Sequence, residues 1–598
     1  LGDNRRRISL LAIIIIAMAA GSAFPQELTA PSGIFHFRDM FNSSPTVIDT
    51  RLIHVGSVTS QGDSQLNAGL ARSTYGVSGS GIKVGIISDS FNSLGGAAAG
   101  IASGELPGIG NPTYPIPVNV LLDDTGSDEG RGMAEIVHDV APGAELMFHA
   151  AFSLGGKAGL AQAIDNLVAS GANVIVDDVG FLTEPFFQNG IVAQAVNRAY
   201  HAGIAYFSSA GNQGNEGYMG YFSDNGSNRH NFDLNNDEGG DAFLNISVPS
   251  GRSVRVALEW SDPYLSLGGS GPISDFDAAL VDMETGQTVS TSTRDQTAGV
   301  DPWELVYAQN TTDMAKQYGL VIDRYAGDAN RLLKAIVYDS GAIADDDDTN
   351  SPTLVGHAAA EGAAAIASVR YDQNEVEWYS SQGPTLILFD ENGNPINETR
   401  QTPMLAASDG ADTSFFGSGD WDGTGFPNFF GTSASAPHVA AVAALMLEWA
   451  HDFELSLTPD QVFQILSASA VDLGSAGFDT LSGYGLIDAA AAIAGIAVPI
   501  SGDTDHDGDV DLVDLGNLAT HYGATGGGVW SWGDFDHDSD VDLSDLGLLA
   551  TNYGVGVGSP LNFEADLANV LPMVPEPVSV VLLIFGASLL SGVRRVSR

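Results

Sequence analysis

A chain of 598 residues with 74 Asp and Glu against 23 Lys and Arg has a formal charge of −51 and no cysteine. That length implies several domains with at least one large core and excludes a peptide-sized or single-module protein. The charge makes nucleic acid a poor partner and Ca²⁺ a good one, since an acidic surface repels phosphates; the lack of thiols excludes disulfides, thiolate catalysis, zinc–thiolate sites and iron–sulfur clusters.

The chain opens with Arg5-Arg6-Arg7, a mostly apolar run over residues 8–20, then Gly21-Ser22-Ala23. This is the order of a secretory signal peptide, residues 1–23, with cleavage expected after Ala23. Residues 10–20 number only 11, against the roughly 20 that a spanning helix needs. Leu1 in place of Met points to an alternative start codon or a shortened chain. Residues 24–79 show weak periodicity and read as a leader running into the first domain.

Next comes Ile82-Lys83-Val84-Gly85-Ile86-Ile87, a β-branched run of the kind that forms a buried strand. Residues 146–149, Val174-Ile175-Val176 and Ile204-Ala205-Tyr206-Phe207 read likewise, and helical patterns at 134–137, 159–169 and 191–202 alternate with them. The alternation predicts an α/β, doubly wound parallel sheet over residues 80–223 and 346–494. It breaks near Asp224. From there to residue 345, period-two segments such as 254–260 and 276–280 predict an inserted antiparallel β-sandwich, closed by the acidic run 345–348. A structural insert is the expected role, with substrate handling as the alternative.

The most specific string is Gly431-Thr432-Ser433-Ala434-Ser435-Ala436-Pro437-His438, leading into an alanine-rich helix. A serine at a helix N-terminus has free backbone N–H groups beside it that can stabilise an oxyanion, so Ser433 is a candidate nucleophile. Asp89 ends a strand, Asn212 lies in Ala210-Gly211-Asn212, and the strings at 379–384 and 483–489 follow. This ordered set resembles the subtilases over about residues 61–494 and implies a subtilisin-like fold. It also implies peptidase activity on proteins or peptides, with Asp89 as the catalytic Asp and Asn212 in the oxyanion hole. Where that family carries its catalytic His, this chain has Asp128-Glu129-Gly130, with Gly130 at the family glycine. Glu129 in the His position resembles the sedolisins, although their second carboxylate one helical turn on is Met133 here, and their oxyanion-hole Asp is Asn212. Asp89 is then expected to support Glu129 directly and to share a proton with it, because two close carboxylates do not both ionise cheaply.

His138 is the rival base, but nine helical residues place it about 13 Å from Glu129. His149 and His438 read as packing or hydrogen-bonding residues. Asp177-Asp178 line the substrate cleft or simply end a strand, and both readings stay open. A carboxylate base predicts an acid-side optimum unless burial raises it.

The last organised segment, residues 500–556, is a repeat with a period of 31. Asp503, Asp505, Asp507, Asp509, Asp511 and Asp514 occupy an EF-hand-like loop with Gly508 at its tight turn. Asp534, Asp536, Asp538, Asp540, Asp542 and Asp545 repeat the set, with Ser539 in place of the glycine. Hard oxygen donors at this spacing suit Ca²⁺. Each loop leads into a short helix with Leu512, Leu515 and Leu518, or Leu543, Leu546 and Leu549, expected on one stripe. Paired loop–helix units ending in Tyr-Gly resemble a dockerin domain, which implies a cohesin-like partner; calcium-stabilised spacing from a surface explains the repeat equally well. Finally, Val574-Pro575-Glu576-Pro577, an apolar stretch and terminal arginines resemble a PEP-CTERM sorting signal over residues 574–598. That implies a transient membrane anchor, exosortase-type processing and a place at the envelope or extracellular matrix of a Gram-negative bacterium. The main reading is an exported serine endopeptidase; the alternative is a catalytically inactive surface or matrix protein that binds through calcium.

Overall fold

The computed structural model describes residues 56–233, 241–344 and 351–575. The signal peptide, the leader up to residue 55, the acidic run at 345–348 and the sorting segment beyond residue 575 lie outside the described residues. These form two compact units, one of residues 56–449 and 456–496 and one of residues 450–455 and 497–575. Among the described residues no helix is long and apolar enough to cross a membrane.

The larger unit is built on seven parallel strands: β1 (Lys83–Ser88), β2 (Asn119–Leu122), β3 (Glu145–Ala150), β4 (Val174–Asp177), β5 (Ala205–Ser209), β6 (Ala363–Arg370) and β7 (Leu405–Asp409). Their order is β7-β6-β5-β4-β1-β3-β2. From β1 the chain builds one edge through β2 and β3 and then crosses back to build the other. The crevice beyond the C-terminal ends of β1 and β4 is thus a topological switch point, where doubly wound sheets place their ligands. Val84, Ile86, Ile87, Val174, Ile175 and Val176 are buried, as expected of strands covered on both faces. Helices α1 (Glu129–Val140), α2 (Gly156–Ala169), α3 (Ile191–His201) and α4 (Thr432–Asp452) lie among the strands in sequence. In α4, Ala434, Ala436, Ala440, Ala441, Ala443 and Ala444 are fully buried; small side chains let this helix lie close in the core.

The sandwich begins earlier than the break at Asp224. Its four-stranded sheet takes Gly217–Tyr221 as one edge, beside Leu332–Asp339, Ser253–Trp260 and Trp303–Gln309. The five-stranded sheet is Gln287–Ser292, Ser274–Asp282, Lys316–Gly327, Leu244–Val248 and Ala342–Ile343. Between them lie Leu258, Trp260, Phe276, Leu280, Ile322 and Leu333. Ala257 and Ile336 on the other face join Phe186, Phe187 and Phe389 of the α/β core, and Glu259 accepts a hydrogen bond from the Phe186 backbone N–H at 2.7 Å. The insert is therefore docked on the core through both apolar and polar contacts.

The smaller unit holds the repeat, with α5 (Leu512–His521) and α6 (Leu543–Asn552). Asp511 and Asp542 each form a capping box with the Asp three residues on. Leu515, Leu518, Leu546 and Leu549 are buried as the stripe requires, whereas Leu512 and Leu543 are exposed. As the first residue of its helix, each lies at the helix end, off the buried stripe.

Candidate active site

Ser433 is the second residue of α4. The preceding loop is held from three sides. The Gly431 N–H donates to Asp409 Oδ1 at 2.7 Å, the Thr432 N–H donates to Asn212 Oδ1 at 3.0 Å, and the Gly211 N–H donates to Thr432 Oγ1 at 3.1 Å. Gly431 has φ 120°, a conformation open to glycine, and a side chain there would meet the Asn212 amide. Because Thr432 holds the Asn212 carboxamide oxygen, Nδ2 is the end of that side chain able to donate. Ser381 of the 379–384 string buttresses the same loop by donating its N–H to Gly211 O at 2.9 Å.

Glu129 opens α1. Asp128 before it takes the left-handed φ of 61° and is buried. It accepts from the N–H groups of Ser93 at 2.6 Å and Leu94 at 3.1 Å and from Arg131 at 2.9 Å. Gly130 is required by close approach: a Cβ would lie 2.3 Å from the Phe148 ring of β3. Helix entry and sheet thereby pin the Glu129 backbone.

Asp89 differs from the expectation. Its Oδ2 accepts from the Ser127 N–H at 2.5 Å and the Ser127 hydroxyl at 2.6 Å, and its Oδ1 accepts from the Glu129 backbone N–H at 3.1 Å and from the Ser90 backbone N–H. It holds the turn that presents Glu129, and it reaches the Glu129 carboxyl only as a neighbouring negative charge. The second carboxyl acting on Glu129 is Asp178. Strand register explains this: Ile87 of β1 is opposite Asp177 of β4, so the chain just past both strands brings Ser88, Asp89 and Asp178 together. Ser88 Oγ donates to Asp178 Oδ2 at 3.0 Å, while Asp178 Oδ1 is buried.

Burial pushes the Glu129 carboxyl above the ordinary carboxylate range; the hydrogen bond from Ser433 pulls it down, and the Asp89 charge pushes it up. Asp178 is pushed well above that range by burial and by the charges of Glu129, Asp177 and Asp89. Three carboxylates and a serine hydroxyl thus meet at the switch point.

Ser433, Asn212 and Asp178 line a cavity of about 230 Å³, the size of one side chain. Glu184, His357 and Tyr338 also line it. His357 Nδ1 meets Glu184 at 2.9 Å and its Nε2 meets Asp177 at 3.3 Å. Burial opposes the imidazolium, but the two carboxylates outweigh it and hold His357 well above its usual range. Tyr338 comes from the sandwich, so the insert reaches the cavity. A larger hollow of about 510 Å³, lined by residues such as Arg198, His201 and Arg400, shares no residue with it.

The other histidines are elsewhere. His138 is buried at the far end of α1, packed against Tyr114 with centroids 5.2 Å apart, and burial lowers it to about 4. Neither ring nitrogen has a hydrogen-bond partner among the described residues. His149 pairs with Asn166 at 3.0 Å and His438 with the Ser60 hydroxyl at 2.6 Å, the hydrogen-bonding roles expected of them. Asp178 was legible only as half of an acidic pair ending an apolar strand, and nothing local distinguished His357 or Glu184.

In the repeat, possible ligand atoms gather as Asp503 with Asp505 and Asp514, Asp509 with Asp511 and Asp514, Asp534 with Asp536 and Asp538, and Asp540 with Asp542 and Asp545. Asp507 joins none of these groups. Ser539 takes φ 70° where Gly508 takes 90°. Its N–H donates to Asp534 Oδ2 at 3.0 Å, as the Gly508 N–H does to Asp503 Oδ2 at the same distance. One Oδ1 of each of Asp503, Asp509, Asp534 and Asp540 is buried with no donor among the described residues. Oxygen acceptors left without donors are what a hard divalent cation binds, so the residues fit Ca²⁺.

Residues 286–485 match the subtilase family. The matched stretch contains Ser433 and the 379–384 string but stops short of Asp89, Glu129 and Asn212, all upstream. A 71-residue segment is 39% identical to an extracellular serine protease of Serratia marcescens, spanning 12% of this chain and only 6% of that protein. Among solved structures, the Clostridium perfringens CspB protease is similar at 12% identity and a TM-score of 0.47, covering 72% of this chain and 96% of its own. A lanthipeptide protease is similar at 16% identity and a TM-score of 0.36, covering 72% and 92%.

Proposed function

We propose that the chain is an exported serine endopeptidase acting on proteins or peptides, with Ser433 as nucleophile and Glu129 as general base. The observation that carries the reading is the convergence of three features: the Ser433 hydroxyl at the start of α4, its hydrogen bond to the Glu129 carboxylate, and the anchored Asn212 amide in the same cavity. Glu129 takes the proton from Ser433 Oγ as that oxygen attacks the scissile carbonyl carbon. The developing oxyanion is met by Asn212 Nδ2 and the Ser433 N–H. Collapse breaks the C–N bond, and the leaving amine receives the proton from Glu129. Water then repeats the sequence on the acyl-enzyme, with Glu129 again the base. Asp89 holds the Glu129 backbone. Raised by burial, Glu129 needs a higher pH to become a base than an exposed carboxylate does, which moves the acid limb of activity toward neutrality.

The repeat is proposed to hold Ca²⁺ through the aspartates of its two loops, where the cation would meet the carboxylate oxygens left without donors among the described residues. Sorting by exosortase-type machinery and a cohesin-like partner belong to the same proposal and rest on the resemblances of the tail and the repeat.

The test is digestion of casein and of quenched peptides by the full chain from pH 3 to 8, with a serine-directed phosphonate probe. Ser433→Ala should abolish both cleavage and labelling. Glu129→Gln should lower kcat by about 10³-fold or more, given what removal of triad members costs in related chemistry. A folded protein that cleaves nothing across that range would establish the inactive, calcium-dependent binding protein instead.

A further inference from the structure

We propose that Asp178 is the positioning residue that makes Glu129 a working base: its carboxyl, anchored by Ser88, keeps a proton and donates it as a hydrogen bond to Glu129. The resting site then carries one proton and one negative charge on the pair. The inference rests on the peptidase reading above and extends it to a residue from a different part of the chain, the segment just past β4 rather than α1.

Geometry comes first. The chain past β1 and β4 places Ser88 and Asp178 side by side, and the 3.0 Å hydrogen bond from Ser88 fixes one oxygen of Asp178. The other oxygen is buried and takes no hydrogen bond from any donor among the described residues, whereas a protonated oxygen there would itself donate. The same side chain lines the cavity that holds Ser433.

The charges facing Asp178 decide which carboxyl of the pair keeps the proton. Glu129 faces it from α1, Asp89 from the end of β1, and Asp177 from its own strand. Asp177 is itself paired with His357, which Glu184 holds from the other side. Asp178 thus meets three carboxylates with Ser88 as its donor, while Glu129 has the Ser433 hydroxyl on it. During reaction the pair accepts the Ser433 proton, becomes doubly protonated and neutral, and returns that proton to the leaving amine. The Asp178 proton stays in place throughout. A neutral acid at this position supplies a hydrogen bond without the full negative charge that a third ionised carboxylate would add beside the attacking oxygen.

The experiment is the pH dependence of kcat for the full chain on a quenched peptide. Wild type should give a bell, with an acid limb where the pair takes its second proton and an alkaline limb where it loses the shared one. Asp178→Asn keeps a donor that cannot ionise. It should hold kcat at its optimum within about tenfold while its alkaline limb disappears or moves up by at least one pH unit. Asp178→Ala removes the donor and should lower kcat by about 10²-fold. Ser433 labelling and circular dichroism would show that each variant is folded, and Ser88→Ala, which frees the anchored oxygen, should give an intermediate loss. The inference is overturned if Asp178→Asn keeps the wild-type alkaline limb or if Asp178→Ala retains full kcat. A folded wild type that cleaves nothing would overturn the peptidase reading and a fully active Glu129→Gln the assignment of the base, whereas an inactive Glu129→Gln with an unmoved alkaline limb in Asp178→Asn would overturn this inference alone.

Discussion

The protein gathers carboxylates in two places and resolves their repulsion in two ways. Beside Ser433 the fold supplies donors: the backbone and hydroxyl of Ser127 to Asp89, Ser88 to Asp178 and Ser433 to Glu129. A proton completes the balance. In the repeat, backbone donors cap some aspartates, yet one oxygen of each of Asp503, Asp509, Asp534 and Asp540 stays buried without a donor among the described residues. Repulsion relieved by protons and fixed donors suits proton transfer, whereas repulsion left for an external charge suits a cation. On the reading proposed here, the same residue type serves chemistry in one region and metal-dependent stability in the other.

Charge removal should separate the two regions most strongly. Glu129→Gln is expected to cost about 10³-fold or more in kcat, while Asp534→Asn should leave kcat within about twofold and weaken Ca²⁺ binding, read by steady-state kinetics and calorimetry on the full chain. An Asp534→Asn variant as inactive as Glu129→Gln would break the comparison. Next in size is calcium itself. At a thousand times its Kd, a ligand that binds only the folded state stabilises it by about 4 kcal/mol. Scanning calorimetry should show a transition that rises with Ca²⁺ and falls with chelator, while peptide cleavage persists in chelator.

The pH response of the metal-free repeat has the opposite sign to that of activity. Burial and neighbouring aspartates push Asp540 and Asp545 up to about 6. A carboxyl whose pKa is higher folded than unfolded contributes stability at low pH and loses it as pH rises through the folded value. In chelator the repeat should therefore weaken from about pH 4 to about 6, and saturating Ca²⁺ should cancel the decline. Peptidase activity should instead rise with pH as Glu129 deprotonates, with its acid limb above that of an exposed carboxylate. A metal-free transition that climbs with pH across that window would contradict the donor-poor account of the loops.

How much of this was legible beforehand depends on the range of the interaction. Ser433, Asn212 and the end of β1 announce themselves in short strings whose residues lie next to one another in the folded site. The repeat shows itself by register alone. Asp178 does not, because its partners are set by the pairing of β1 with β4, strands separated in sequence by the whole of α1 and α2. The sandwich start was missed for a local reason: Gly217-Tyr218-Met219-Gly220-Tyr221 carries two glycines, which dilute the period-two signal until the strand is seen paired with Leu332–Asp339. His357 sits in an alanine-rich stretch with no pattern, and only the convergence of Asp177 and Glu184 gives it a role.

The smallest effect tests whether the two aspartate loops are equivalent. Ser539 holds a left-handed backbone where loop one has Gly508, and its N–H makes the same hydrogen bond to the first aspartate of the loop. A non-glycine residue in that region bears a steric cost of roughly 1–2 kcal/mol, partly offset by the greater freedom glycine loses on folding. Ser539→Gly should therefore raise the calcium-loaded transition by no more than about 1 kcal/mol, with kcat unchanged, and should tighten the second loop toward the affinity of the first. Gly508→Ser, the converse change, should lower stability by a similar amount. If Ser539→Gly instead weakened Ca²⁺ binding, the Ser539 side chain would be acting on the metal, and the second loop would differ from the first in its ligands rather than in its strain.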